Sequence, residues 1–451
     1  MAPVALAFAV LRLTRSTGDL GIVLAARSAS VVVFLLLGGV ISDRLPRHVV
    51  MVGSSVLAGL SQSAAAVLLL TGSAHLAALA ALQVVNGATS AFAGPSASAV
   101  VPQTVPAQVL RQANALVRMG SNAAAIVGAA LGGVVVAVFG PGWGIAADAA
   151  SFFVAAVLFA GLRVGRLNRG AGTSVLRELA DGWREFWART WLWAIVVQFA
   201  FINMAYGGAF NVLGPVVAEQ RPGGAAAWGI IVAAQGAGLI LGGVVSARRY
   251  ARRPLLAGNN ALLLQLPMLG LLAVAAPLPL VAVAAVPAGM GMEIFGVRWY
   301  TTMHEQVPAG LQSRLFAYDA LGSFVFIPVG QALAGPVQGL TGTADAIWAG
   351  TAVMAFAMLA VLFVPQVRSL RALLGDRAEE RAVVRLPPGV SAAQAAFRNW
   401  GWTKLARSRG PGPAASVHDV LSRPLASRAE GPPGPQVKTS VAEDLGGDGC
   451  G

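Results

Sequence analysis

The chain has 451 residues, 56% of them hydrophobic and only 11% charged, with 32 Lys and Arg against 19 Asp and Glu. Soluble domains carry about 25% charged residues, so this scarcity, with a mean hydropathy of +0.69, excludes an ordinary soluble protein and defines an integral membrane protein. The formal charge of +13 points to no nucleic acid, because the arginines of a polytopic membrane protein collect in its short cytoplasmic loops. The single Cys450 excludes an intrachain disulfide, and His48, His75, His304 and His418 lack ligand spacing, so no metal site and no cofactor is expected.

A helix needs about 20 apolar residues to cross the hydrocarbon core. The first apolar run, "MAPVALAFAVLRL" at 1–13, reaches only about 20 Å at ~1.5 Å per residue. It lacks the basic start of a signal peptide, and it reads as the outer half of a first helix whose other half is missing. Eleven full spans follow, near 19–41, 49–71, 75–100, 115–139, 143–162, 191–213, 226–247, 255–275, 278–302, 315–339 and 344–364. One alternating set of connections holds Arg44 and Arg47, Arg111, the 163–189 segment, the Arg248–Arg253 cluster and Arg314, whereas the other holds only Arg15 and Arg221 with Arg12 close by. Arginines stay on the cytoplasmic side, which orients the chain and places its C-terminus in the cytoplasm.

The segment 163–190 divides the chain into an N-terminal transmembrane half, 1–162, and a C-terminal one, 191–365. Within it Leu176, Leu179, Trp183 and Trp187 recur at helical spacing, with Arg177, Glu178, Asp181, Arg184 and Glu185 largely off that face. An amphipathic helix on the inner membrane surface and a linker helix packed on the protein's own loops both fit. Residues 366–451 form a tail that becomes rich in Pro, Gly, Arg, Ser and Ala; disorder is expected of a segment with so little to bury. Its "FRNWGWTKLARSR" stretch, 397–409, suits either anionic lipid or simple solvation.

The halves resemble each other. "GGVISDR" at 38–44 aligns with "GGVVSAR" at 242–248, and Val105–Gly140 aligns with Val307–Gly342 at nearly the same offset, matching Val-Pro-Ala, Gly-Ser and the Gly128, Leu131 and Gly133 positions. An offset covering an even number of spans gives both copies one orientation, a parallel duplication about an axis along the membrane normal.

The pattern formed by Gly39, Asp43, Arg44 and Arg47 between the second and third spans resembles the cytoplasmic signature loop of the major facilitator superfamily. The stretch "VPAQVLRQANAL" at 105–116, then "GAALGG" and "DAASFF", resembles the branch holding the enterobactin exporter and related drug efflux proteins. The resemblance implies an all-α, major-facilitator-type fold of two six-helix halves, with the first helix truncated here. It implies that Asp43 latches against the eleventh helix in the outward-facing state while the arginines hold neighbouring loop groups; a carboxylate is favoured at a helix N-terminus. The second copy carries Ala247 in place of the acid, so such a latch is one-sided, and Ala129 stands where efflux members carry the proline of a glycine–proline signature.

Ionisable groups inside spans are costly and therefore functional suspects: Arg27, Asp148, Glu293, Arg298 and Asp319. By depth, Glu293 and Arg27 are best placed to carry charge or protons, and a structural ion pair of Glu293 with Arg298 or a cytoplasmic arginine is the competing reading. The family's cavity, lined by the first, fourth, seventh and tenth spans, nominates Gln83, Asn86, Gln198, Asn203 and Trp299, although a single amide is more often an interhelical hydrogen bond than a ligand contact. A mostly apolar cavity with few polar anchors suits amphipathic organic molecules. The expected function is therefore a secondary active transporter exporting drug-like compounds, a siderophore or a secondary metabolite, by proton antiport with alternating access. It is expected as a monomer, multi-pass in the cell membrane, with a small-molecule substrate, protons and the bilayer as its partners. A non-transporting membrane protein of the same fold is the alternative. No enzyme motif and no phosphate-binding loop is present.

Overall fold

With no water in a bilayer core to satisfy its backbone, a chain this apolar must close its hydrogen bonds within helices. The computed structural model describes residues 1–44, 46–104, 110–162, 175–249 and 251–372, and among them the regular structure is entirely helical. The first half comprises α1 (Ala2–Thr14), α2 (Thr17–Arg44), α3 (Arg47–Leu70), α4 (Leu76–Thr104), α5 (Leu110–Phe139) and α6 (Pro141–Ala160). The linker holds α7 (Val175–Ala188). The second half comprises α8 (Thr190–Tyr206) and α9 (Leu213–Glu219), α10 (Gly224–Arg248), α11 (Pro254–Leu262) and α12 (Leu266–Ala273), α13 (Leu278–Gln306), α14 (Ala309–Phe324) and α15 (Ile327–Thr341), and α16 (Thr343–Ala360). A short α17 (Pro365–Ser369) closes the described chain.

Among the described residues 11 stretches are long and apolar enough to cross a membrane, from Thr17–Leu35 to Thr343–Phe363, and they overlie the eleven expected spans. The helix α1 is too short to count among them; its residues Val4 to Leu11 are all buried against α5 and α6. In two of the spans built of two helices the hydrogen-bond ladder changes at the joint: a π-helical turn, Gly207–Val212, joins α8 to α9, and a 3-10 turn, Leu263–Gln265, joins α11 to α12.

The internal repeat is visible in three dimensions. The α2–α4 pairing of the first half recurs as α10–α13, and the α3–α6 pairing recurs as α12–α16. Across the halves, α2 lies on α15 as α10 lies on α5, the reciprocity of a pseudo-two-fold axis. The turns agree even in backbone angles. Gly140, between α5 and α6, has φ 91 and ψ 165, and Gly342, between α15 and α16, has φ 88 and ψ 163, a region that only glycine occupies without strain.

The closest backbone contacts that glycines make between the halves lie toward one end. An added Cβ on Gly21 would run into the Gln331 carbonyl, and one on Gly335 into Gly18 Cα. On the other side of the axis, a Cβ on Gly133 would lie 2.7 Å from the Ala225 oxygen and one on Gly229 2.8 Å from the Ala129 oxygen. Small residues admit such close backbone approach. This is the end near Arg15 and Arg221, poor in arginine, opposite the Arg248–Arg253 cluster.

The linker helix α7 packs on α14, where Gly182 meets Tyr318 and Arg314 and Trp183 and Phe186 lie 5.5 and 5.9 Å from the Tyr318 ring. From Gly182 on, the helix therefore packs on the protein, while Trp183 and Trp187 stay half exposed, at 50% and 49%, free to reach an interface as tryptophans do. Residues beyond 372, including the 397–409 stretch, lie outside the described residues.

Candidate functional site

Two polar clusters, one per half, interrupt the apolar packing. In the first half, Arg27 on α2 donates from Nε to Asn86 Oδ1 on α4 at 3.0 Å. The crossing that brings them together is tight: a Cβ on Gly87 would collide with the Arg27 carbonyl oxygen, and Ser30 Oγ donates to the Val84 carbonyl at 2.6 Å. Gln83, one turn before Asn86, is buried on the same helix. Next to this cluster Asp148 on α6 accepts from Gln62 Nε2 on α3 at 3.3 Å and from the Ala2 amide at 3.3 Å. Asp148 forms no ion pair with Arg27 among the described residues.

In the second half, Asp319 on α14 accepts from Trp299 Nε1 on α13 at 2.9 Å and from Ser323 Oγ, one turn on, at 3.2 Å. Asn203 on α8 donates to the Ser323 carbonyl at 2.8 Å, tying a third helix to the group. Trp299 is itself fixed by aromatic neighbours, Phe295 at 6.2 Å and Trp191 at 5.7 Å between ring centroids. Asp319 has no ion-pair partner among the described residues, so its carboxylate is held by two neutral donors alone.

The other nominated residues are placed as follows. Gln198 donates from Nε2 to Asn259 Oδ1 on α11 at 2.5 Å, and Asn259 donates to the Met358 carbonyl on α16 at 2.9 Å; this is a three-helix tie inside the second half. Glu293 is half buried on α13, its Cβ and Cγ against Gly242 and Gly243 of α10. Arg298 lies on the same helix with its Cβ beside Gly258 of α11. Gly39, Asp43 and Arg44 fall on the last turns of α2 and Arg47 opens α3, but their side chains lie outside the described residues.

The sequence reading missed several partners. Gln62, Asn259 and Ser323 are all buried, and a reciprocal pair joins α8 to α10, with Tyr206 donating to Gln235 Oε1 at 3.0 Å and Gln235 Nε2 donating back at 2.7 Å. The Arg12–Glu219 pair at 3.8 Å also went unseen; it joins α1 to α9 across the halves at the arginine-poor end. Only Ser323 carries a local signal, its i+4 spacing from Asp319.

Duplicated helical halves with polar clusters inside their spans define a membrane transporter of the two-bundle type. The model of the Major Facilitator Superfamily matches residues 1–330, and the chain belongs to that family: it is a transporter and not an enzyme. It is 23% identical over 365 residues to the enterobactin exporter EntS of Shigella boydii serotype 18, covering 80% of this chain and 86% of that one. The EntS of Escherichia coli O1:K1 is 22% identical over the same length and shares. Among solved structures, the inward open xylose transporter XylE from E. coli has a TM-score of 0.62 at 13% identity, over 82% of this chain and 93% of that one. The nucleoside transporter NupG has a TM-score of 0.61 at 12% identity, over 80% and 94%. At those identities the likeness is one of fold.

Proposed function

We propose that the chain exports small amphipathic organic molecules, drug-like compounds, a siderophore or a secondary metabolite, by proton antiport with alternating access. The observation that carries the proton part is Asp319. An unpaired charge within a membrane span is costly, and a carboxylate held by two neutral donors has the proton as its available counter-charge. Depth in the sequence ranks Glu293 first; the hydrogen bonding of Asp319 supports assigning the proton to Asp319 instead. The enterobactin exporters among the relatives support outward transport of an organic molecule.

In this reading the arginine-rich loops and the C-terminal tail face the cytoplasm, as the positive-inside rule favours, and a monomer sits in the cell membrane. The contacts between halves at the arginine-poor end then make this an inward-facing state. Opening outward breaks them, while Gly39, Asp43, Arg44 and Arg47 close the cytoplasmic side.

The test is a proteoliposome enclosing a pH-sensitive dye, challenged with naphthalene-2-sulfonate, rhodamine 6G and N-phenyl-1-naphthylamine as anionic, cationic and neutral amphiphiles. At least one should drive proton movement, which Asp319→Asn abolishes and Asp148→Asn retains. Proton movement undiminished in Asp319→Asn overturns the assignment of the proton to Asp319.

A further inference from the structure

The first-half cluster has an imbalance that the transport reading does not use. A guanidinium offers five N–H donors and no acceptor. Arg27 uses its Nε on Asn86 Oδ1, and among the described residues it has no ion pair. Because Asn86 Oδ1 must face a group that can only donate, its Nδ2 is fixed as a donor, and that atom is buried with no partner. Gln83 Nε2, one turn away on α4, is likewise buried with no partner. Both residues are only 2% exposed. The nearby carboxylate of Asp148 already accepts from Gln62 and the Ala2 amide. Beside Asp148 the Gln62 Oε1 acceptor is also buried without a partner, but the unmet capacity of Arg27 and Asn86 themselves is donor capacity.

Depth sharpens the point. Arg27 lies about 15 Å along α2 from the arginine-poor end at ~1.5 Å per residue, near the middle of a membrane, where an arginine without an ion pair is expensive. Buried donors left unmet add to that cost. The Gly87 crossing and the Ser30–Val84 bond fix α4 on α2, so the donors are held in place before a ligand arrives, as a binding site requires. The complement of such a cluster is an anion whose oxygens can take several hydrogen bonds at once, and arginine matches a carboxylate bidentately.

Resting on the transporter reading above, we infer that Arg27, Asn86 and Gln83 receive the anionic head of the transported molecule, so that the substrate class is an amphipathic organic acid rather than a cation. Asn86 serves two roles, orienting the guanidinium through Oδ1 and presenting Nδ2 to the ligand.

The test is equilibrium dialysis of the purified full chain in detergent with 2-naphthoate and its neutral isostere 2-naphthamide. The wild-type chain should bind the naphthoate at least about tenfold more tightly, the scale of a charge-assisted hydrogen bond. Arg27→Gln should lose that preference and bind the two compounds about equally. Asn86→Asp, of nearly the same shape, supplies an internal carboxylate to Arg27; it should lose naphthoate binding by a similar factor without a fall in unfolding temperature, which guards against a variant that merely fails to fold. Absence of saturable naphthoate binding, equal affinity for the two compounds, or naphthoate binding undiminished in both variants overturns the inference and leaves the donors as a hydrated structural cluster. Because binding is read without transport, that failure is distinct from failure of the exporter reading, which the proteoliposome assay decides.

Discussion

Replacing Gly133 with valine should push the halves apart at the arginine-poor end. A Cβ at this position of α5 would lie 2.7 Å from the Ala225 oxygen, 3.1 Å from Gly229 Cα and 3.2 Å from Ala226 Cα, all on α10. The first distance is about 0.7 Å short of ordinary contact, which starts near 3.4 Å. The neighbours are backbone atoms of a helix, which cannot swing aside as a side chain does. Overpacking of this kind costs about 1–3 kcal/mol, which corresponds to a shift of roughly 5- to 150-fold in a two-state equilibrium. The cost falls on the state in which this end is closed. Spin labels at Ser73, in the turn between α3 and α4, and Thr343, at the start of α16, report the separation in a Cys450→Ser background. The valine variant should gain a longer-distance population, and Gly53→Val, where an added Cβ meets nothing within 4 Å, should leave the distribution unchanged. Identical distributions for Gly133→Val and wild type would refute the argument that this contact closes the seam.

Asn259→Leu should be among the most damaging single changes in the second half, because it strands the buried Gln198 amide and the Met358 carbonyl; at about 1–3 kcal/mol per stranded group, the unfolding temperature in detergent should fall clearly, and adding Gln198→Leu should recover part of the loss. Glu219→Gln should change stability by no more than about 1 kcal/mol, since its pair with Arg12 is long, at 3.8 Å, and both side chains are exposed; thermal melts of the two proteins should nearly overlay. Trp299→Phe keeps the ring between Phe295 and Trp191 but removes the donor to Asp319. It should therefore impair proton-coupled transport far more than it lowers the unfolding temperature, and a parallel loss of both would argue for a purely structural tryptophan.

How much of this was legible in the sequence follows from the range of each signal. Span lengths are set by bilayer thickness and by hydropathy, both local properties, so the eleven spans could be counted directly. The repeat was legible because equivalent turns repeat their chemistry; Gly140 and Gly342 share one backbone conformation that few other residues adopt. The clusters were half legible. Intramembrane charge marks Arg27, Asp148 and Asp319 individually, but which neighbours meet them depends on helix rotation. Nothing local distinguishes Asn203, whose bond reaches the Ser323 carbonyl, from Gln198, which ties α8 to α11. The amphipathic period of α7 marked one apolar face and could not show that Tyr318 of α14 would meet Trp183 and Phe186.

The central claim is that the chain moves an organic molecule uphill at the expense of a proton gradient. Proteoliposomes with an acid interior, given naphthalene-2-sulfonate, rhodamine 6G or N-phenyl-1-naphthylamine outside, should accumulate at least one of them above its external concentration, and a protonophore should abolish the accumulation. Uptake of all three no greater than in protein-free liposomes, with or without the gradient, would contradict the account.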